Sequence, residues 1–142
     1  MIKFDTSKHK CQACVICCMD FRIYKDATLH FYLMDVGIED YDLIAIPGAG
    51  KALLGKHAEF VLDAIRISME LHESREIFLI HHIDCGAYGG SKAFVSKDAE
   101  IGKHKYEMEA AKQAIIAKFG SDVSVKKILL DESQSSLNVI VM

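Results

Sequence analysis

The sequence predicts an α/β protein with a mostly parallel four-stranded sheet, a terminal antiparallel strand and helices on both faces. Short apolar, β-branched runs alternate along the 142 residues with longer amphipathic segments, a pattern typical of βαβ units. Most of these runs are continuously apolar, as expected of parallel strands covered on both faces. Half of the residues are apolar and a quarter are charged, which fits one globular domain over residues 1–142.

Five segments are predicted to form the strands of this sheet. They are Ala13–Cys18, Leu43–Ile46, Glu76–His82, Val125–Leu130 and Leu137–Val141. The last two strands flank the polar stretch Asp131–Ser136, so we expect them to pair as a hairpin. Residues 1–11 are polar and would form a short N-terminal arm.

Three helices are predicted from periodic apolar residues, at about Asp26–Val36, Leu54–His72 and Asp98–Phe119. The middle helix has two apolar stripes, one containing Val61 and Ile65 and another containing Phe60 and Ile67. A helix that is apolar on two sides is usually covered on both. We therefore expect a second subunit to contact it.

Composition and charge argue against several classes of protein. The net charge is −3 and there is no lysine- or arginine-rich run, so a nucleic-acid partner is not expected. No apolar stretch approaches the roughly 20 residues that a membrane span needs, so no membrane partner is expected. The first ten residues lack the apolar middle of a signal peptide, which favours a cytoplasmic protein.

The cysteines are unevenly placed. Four of the five fall between Cys11 and Cys18, and the fifth is Cys85. An odd number of crowded thiols is a poor disulfide framework. Such cysteines in a reducing compartment are more often metal ligands, redox groups or buried thiols.

Two groups of polar residues follow predicted parallel strands. Cys18, Asp20 and Arg22 come at the end of the first strand, and His82 and Cys85 at the end of the third. The carboxyl ends of parallel strands share one edge of a sheet, where ligands bind. Two thiolates and one imidazole suit zinc in a tetrahedron and leave the fourth position open for water.

Strand alternation would place Cys18, Asp20 and Arg22 on one side if the extended geometry continued past the strand. Arg22 would then keep Asp20 ionised through its opposite charge. An ionised Asp20 could orient a zinc-bound water molecule, whose pKa zinc lowers to about 7. The sequence therefore predicts a zinc site with an acid–base pair beside it.

The sequence resembles the β-class carbonic anhydrases in two motifs, the first formed by Cys18, Asp20 and Arg22 and the second by His82, Cys85 and Gly86. The order of elements from about residue 12 onwards also resembles that of this family. The resemblance implies that Cys18, His82 and Cys85 bind one Zn²⁺ and that Asp20 and Arg22 flank the open position. It also implies reversible hydration of carbon dioxide to bicarbonate by zinc-bound hydroxide. A homodimer or higher homo-oligomer is expected, as is a closed form with Asp20 as fourth ligand.

The chain departs from the family pattern after the second strand. The usual Arg-Asn-Ala-Gly segment corresponds to Ile46–Lys51, where only the Ala-Gly pair remains, and the N-terminal arm is short. A small, divergent member is the closest description. Two alternatives stay open: a non-catalytic zinc-binding or redox protein of the same fold, and a hydrolase of carbonyl sulfide or carbon disulfide.

Other residues admit competing interpretations. The Cys-x-x-Cys-x-x-Cys run from Cys11 resembles the start of an iron–sulfur motif, but a strand would splay Cys14 and Cys17 to opposite faces as core thiols. The role of Cys11 is undecided. His81 is expected to be a core or interface histidine, and Asp84 to stabilise the ligand loop. No spacing among the remaining histidines suggests a second metal; these are His9, His30, His57, His72 and His104.

Overall fold

A five-stranded sheet forms the centre of the structure, a computed structural model that describes residues 1–131 and 138–142. Its strands are β1 (Ala13–Cys17), β2 (Tyr41–Ala45), β3 (Glu76–His82), β4 (Ser124–Asp131) and β5 (Asn138–Val141). They lie in the order β2-β1-β3-β4-β5, with the first four parallel and β5 antiparallel to β4. This confirms the predicted fold class. The predicted polar stretch after Asp131, and Leu137, lie outside the described residues.

The helices connect these strands. They are α1 (Phe21–Tyr24), α2 (Thr28–Asp35), α3 (Ala58–Leu71) and α4 (Lys97–Phe119), with 3-10 turns at Lys25–Ala27, Ala49–Leu54, Gly86–Tyr88 and Ser91–Ala93. None of the helices in the described part of the chain is long and apolar enough to span a membrane.

The sheet is covered by helices on both faces, as predicted. Alternate residues of β1 enter two separate core clusters, because successive side chains of a strand point to opposite faces. Val15 and Cys17 pack with the α2 side, which contributes Leu29 and Leu33. Cys14 and Ile16 pack with the other face, to which α3 contributes Ile65 and α4 contributes Ile115. Cys14 and Cys17 are therefore buried on opposite faces, as expected of core thiols.

The first predicted helix is wrong at its start. Asp26 and Ala27 have φ of 58° and 56°, in the left-handed region, so α2 begins only at Thr28. The chain instead forms the short helix α1 directly after β1, capped by the side chain of Asp20. A left-handed turn at non-glycine residues carries little sequence signal, because only glycine adopts it without strain.

The second predicted helix starts later than the expected Leu54. A 3-10 turn covers Ala49–Leu54, and α3 begins at Ala58. In α3, Val61 and Ile65 are buried against the sheet, whereas Phe60 is largely exposed in the single chain. The second apolar stripe is thus available at the surface.

Candidate metal centre

Neighbouring strands bring the predicted ligands to one edge of the sheet. β1 and β3 run parallel and pair directly, with Cys17 opposite Ile80. Cys18 is the first residue after β1, His82 is the last residue of β3, and Cys85 follows in the next loop. All three residues are buried. The register of two strands therefore assembles residues that are far apart in sequence.

The three ligand atoms form a group of the size that a zinc ion requires. The Sγ atoms of Cys18 and Cys85 lie 3.8 Å apart. Two sulfurs that are each about 2.3 Å from one tetrahedral ion are separated by roughly 3.8 Å. The sulfurs and the His82 ring nitrogen all lie within 4.8 Å of one another. The donor set and its spacing therefore fit a metal ion.

His82 presents an unpaired nitrogen to this group. Its Nδ1 lies 2.8 Å from the carbonyl oxygen of Ile83, so Nδ1–H donates to that oxygen and the hydrogen bond assigns the tautomer with unprotonated Nε2. Nε2 is buried and has no hydrogen-bond partner among residues 1–131 and 138–142. An unpaired buried acceptor costs about 1–3 kcal/mol. A metal ion bound at Nε2 would remove this cost.

Local hydrogen bonds favour a thiolate at Cys18. A hydrogen bond from Cys85 lowers the pKa of Cys18, and the Gly48 N–H, 3.4 Å from Sγ, acts in the same direction. The same shared proton, together with burial, raises the pKa of Cys85. The pair therefore holds one proton between two sulfurs, and a divalent cation would displace that proton.

Asp20 and Arg22 meet beside this group, as predicted, but not by strand alternation. Helix α1 begins at Phe21, and Asp20 is its N-cap, accepting a 2.9 Å hydrogen bond from the backbone N–H of Arg22. The Arg22 guanidinium donates to both oxygens of the Asp20 carboxylate, at 3.0 and 2.8 Å. The turn of a helix, rather than an extended chain, brings the two side chains together.

The ion pair fixes the charge and position of Asp20. Hydrogen bonds from the Arg22 side chain lower the pKa of Asp20 to about 2, despite the opposing effect of burial. Its Oδ2 lies 3.8 Å from Nε2 of His82. An ionised carboxylate therefore faces the position where the ligand atoms converge.

Arg22 also ties this pair to the loop that carries Cys85. Its Nη1 donates to Oδ2 of Asp84, and its Nη2 donates to the backbone oxygen of the same residue, both at 2.9 Å. Asp84 Oδ1 accepts the N–H of Ser91, and Asp84 has a φ of 59°. Asp84 therefore holds the turn of the ligand loop, as expected.

Glu100 supports the same loop, and sequence reasoning missed it. It is the buried carboxylate of α4, where its Oε1 accepts the Asp84 N–H at 2.7 Å and its Oε2 accepts the Ser91 hydroxyl at 2.8 Å. Glu100 stands apart from the metal motif in sequence. The only signal in the sequence was that this glutamate lies in the first turn of a predicted helix, and that this helix follows the ligand loop.

The divergent segment Ile46–Lys51 also contacts the site. Gly48 has a φ of 72°, and a Cβ there would lie 3.0 Å from that of Ala87. Lys51 Nζ donates to the backbone oxygen of Ala87 at 2.7 Å and lies 4.6 Å from the centre of the Tyr88 ring. This segment is thus a backbone bend beside the crevice, as expected.

His81 points to the opposite face from His82, which confirms its prediction as a core histidine. Its Nε2 accepts the Gly50 N–H at 3.0 Å, so its Nδ1 carries the proton and donates to Nδ1 of His104 at 2.9 Å. Burial lowers the pKa of His81 to about 3 and of His104 to about 4. Both imidazoles are therefore neutral near pH 7.

Similar folds are found among carbonic anhydrases of solved structure. The carbonic anhydrase of Streptococcus mutans and β-carbonic anhydrase isoform I of Trichomonas vaginalis each give a TM-score of 0.58. Each is 16% identical over 99% of this chain and 87% of the other. The architecture is that of a β-carbonic-anhydrase-like α/β protein.

Sequence comparison then gives the family. A family model described as "Putative carbonic anhydrase" matches residues 8–140, and the chain belongs to this family as a divergent member. An uncharacterized protein of Rickettsia conorii is 30% identical over 74% of this chain, and one of Rickettsia bellii is 26% identical over 84%. The chain spans 60% of the length of the first and 80% of the second.

Proposed function

We propose that this protein is a zinc-dependent enzyme that hydrates carbon dioxide reversibly to bicarbonate. The observation that carries this proposal is the convergence of Cys18, Cys85 and the unpaired Nε2 of His82 on one point beside an ionised Asp20. Membership of the carbonic anhydrase family supports the same substrate.

Cys18, His82 and Cys85 would hold the ion as two thiolates and one neutral imidazole. Three protein ligands leave one coordination position open, which is the arrangement of catalytic rather than structural zinc. Zinc supplies Lewis-acid activation of water near neutral pH, which is the activation that carbon dioxide hydration requires. The buried surroundings of the three residues keep this chemistry out of bulk solvent.

Asp20 is the group placed to handle the proton. Its low pKa keeps it an acceptor at neutral pH, so it orients a water molecule by accepting a hydrogen bond rather than by donating one. Arg22 prevents Asp20 from turning away, because it donates to both carboxylate oxygens and is itself anchored to Asp84. Asp20 is thus the proposed catalytic residue, and Arg22 positions it.

The proposal includes association of two or more copies. Large apolar side chains near the crevice are exposed in the single chain, among them Met19, Phe21 and Phe60. A groove of about 660 Å³ lies between Pro47 and Phe60. Exposed apolar patches of this kind mark protein interfaces. Sedimentation of the parent and of Phe60→Asp tests this, with a lower mass expected for the variant.

The activity is tested by stopped-flow hydration of carbon dioxide with zinc-loaded protein. We expect turnover in the parent, its loss in Cys85→Ala and its retention in Cys14→Ala, which removes a buried thiol from the opposite side of the sheet. Zinc-loaded protein that is inactive even at alkaline pH would contradict the proposal and favour a non-catalytic zinc protein. Turnover of carbonyl sulfide or carbon disulfide alone would identify an analogue hydrolase.

A further inference from the structure

A second group of metal-binding side chains lies at the opposite edge of the sheet. Cys11 precedes β1, Asp42 is the second residue of β2, and His72 follows the last residue of α3. The backbone N–H of Cys11 donates to the carbonyl oxygen of His72 at 3.0 Å. The N–H of Gln12 donates to Asp40 O, also at 3.0 Å. Backbone hydrogen bonds therefore join the three segments that carry the group.

The side-chain atoms of this group are close enough to share one ion. Cys11 Sγ lies 3.6 Å from Asp42 Oδ2, and His72 Nδ1 lies 2.8 Å from the same oxygen. All three ligand atoms lie within 4.8 Å of one another. Tetrahedral zinc separates sulfur and oxygen ligands by roughly 3.6 Å and nitrogen and oxygen ligands by roughly 3.4 Å. Of these two pairs, only the nitrogen–oxygen pair has to widen, by about half an ångström.

The group opens into a cavity that an ion can enter. Cys11, Asp42 and His72 all line a cavity of about 300 Å³, which His9 also lines. The fourth ligand can therefore be a water molecule or the imidazole of His9. The lysines of this region have partners of their own, because Lys8 pairs with Asp40 and Lys10 with Glu73.

The arrangement suits a metal better than a nucleophilic cysteine. In a catalytic pair the imidazole bonds the thiol and acts as its base. Here the acceptors described for the Cys11 thiol are Ala13 O and Asp42 Oδ2, and His72 bonds the same carboxylate. The carboxylate thus lies between the thiol and the imidazole. This arrangement lets all three groups bind one ion, but it does not let the imidazole deprotonate the thiol directly.

We propose that Cys11, Asp42 and His72 bind a second divalent cation of the zinc type. Seven residues of extended chain separate Cys11 from Cys18, so the two sites are on the order of 20 Å apart and share no ligand. Sulfur, nitrogen and one oxygen form a donor set that selects zinc over magnesium or calcium. An ion bound there fastens the N-terminal arm to β2 and to the end of α3.

Cobalt(II) is the probe for this site, because each thiolate-bound cobalt adds a ligand-to-metal charge-transfer band. We expect metal-stripped parent protein to bind two equivalents per chain, with thiolate bands for both. Cys11→Ala is expected to lose one equivalent and Cys85→Ala the other. Cys14→Ala is the matched control and should retain both. A Cys11→Ala variant that binds as many equivalents as the parent, whether one or two, would overturn the proposal.

A second variant and a second readout separate loss of the site from loss of folding. His72→Ala removes a half-exposed ligand, and His30→Ala removes an exposed histidine outside the group. We expect only His72→Ala to lose the same equivalent as Cys11→Ala. Zinc should also raise the Tm of Cys85→Ala but not that of the Cys85→Ala, Cys11→Ala double variant. An equal rise in both would contradict the second site, whatever the outcome at the first.

Discussion

Oδ2 of Asp20 lies 3.8 Å from Nε2 of His82, and the Arg22 guanidinium holds the carboxylate in that position. The contact joins the end of β1 to the end of β3. It also sets a charged acceptor beside the one ring nitrogen of His82 that lacks a hydrogen bond. The proposed proton-handling residue and the proposed metal ligand are therefore positioned by the same strand pair.

Asp20→Asn is expected to lower kcat while leaving the zinc content near that of the parent. The change keeps the shape of the side chain but removes the charge, and general acid–base groups contribute about 10²–10⁴-fold to rate. Stopped-flow kcat and zinc analysis on the same sample measure both effects. Asp63→Asn is the control, because Asp63 also pairs with an arginine, Arg66, but on the exposed side of α3 away from the site. A near-parental kcat in Asp20→Asn would remove Asp20 from the mechanism.

Glu100→Ala is expected to reduce both stability and zinc affinity. The two hydrogen bonds that Glu100 accepts from the ligand loop are lost, and bonds to a charged group contribute about 1.5–3 kcal/mol. Loss of such a supporting residue typically weakens metal binding about 10–100-fold. Urea unfolding and competition with a chelator test the two effects. Glu100→Gln retains an acceptor and should be milder; equal zinc affinity in all three proteins would contradict this role.

Gly50→Ala is expected to destabilise the protein by about 1–3 kcal/mol. A Cβ at residue 50 would lie 2.8 Å from Nε2 of the buried His81 and 3.1 Å from the Cβ of Ala111. Gly102 is the matched control, because it is exposed in α4 with nothing within 4 Å of an added Cβ. Gly102→Ala should stabilise the helix by up to about 1 kcal/mol. The prediction is contradicted if both substitutions change the free energy of unfolding in urea in the same direction.

His104→Asn is expected to reduce the acid sensitivity of the fold. Burial lowers the pKa of His104 to about 4, whereas an imidazole in the unfolded chain titrates near 6.5. Below pH 6.5 this imidazole therefore binds a proton in the unfolded chain but not in the folded chain. The free energy of unfolding decreases as the pH falls toward 4. At pH 5 this amounts to about 2 kcal/mol per imidazole.

Urea unfolding at pH 7 and pH 5 measures this effect. Asparagine places an oxygen near the position of Nδ1, so it can still accept the proton of His81. His57→Asn removes an exposed imidazole and is the matched control. An unchanged pH dependence in His104→Asn would show that this imidazole is not the source of the acid sensitivity.

The fold could be predicted because each strand is a short apolar run of its own. The helix boundaries were harder to predict from the sequence, since the turn at Asp26 and Ala27 has a left-handed backbone conformation without glycine. Likewise, Leu54 was expected to begin a helix but ends a 3-10 turn, and the helix starts at Ala58. Local composition does not distinguish these cases.

Those residues of the candidate site that lie at one edge of the sheet could be predicted from the sequence. Cys18, His82 and Cys85 follow paired strands, so the topology alone assembles them. Glu100 approaches from α4, and nothing near it in sequence links it to the loop it supports. Cys11 and His72 are separated from Asp42 by 31 and 30 residues along the chain, so no spacing predicted their meeting.

The most direct test of the central claim is a zinc-edge anomalous difference map from crystals of the zinc-loaded protein. A zinc peak is expected about 2.3 Å from Sγ of Cys18 and of Cys85 and about 2.0–2.1 Å from Nε2 of His82. Asp20 should lie beside the fourth position as an acceptor or, in a closed form, as the ligand itself. A map without a peak among these three residues would contradict the account.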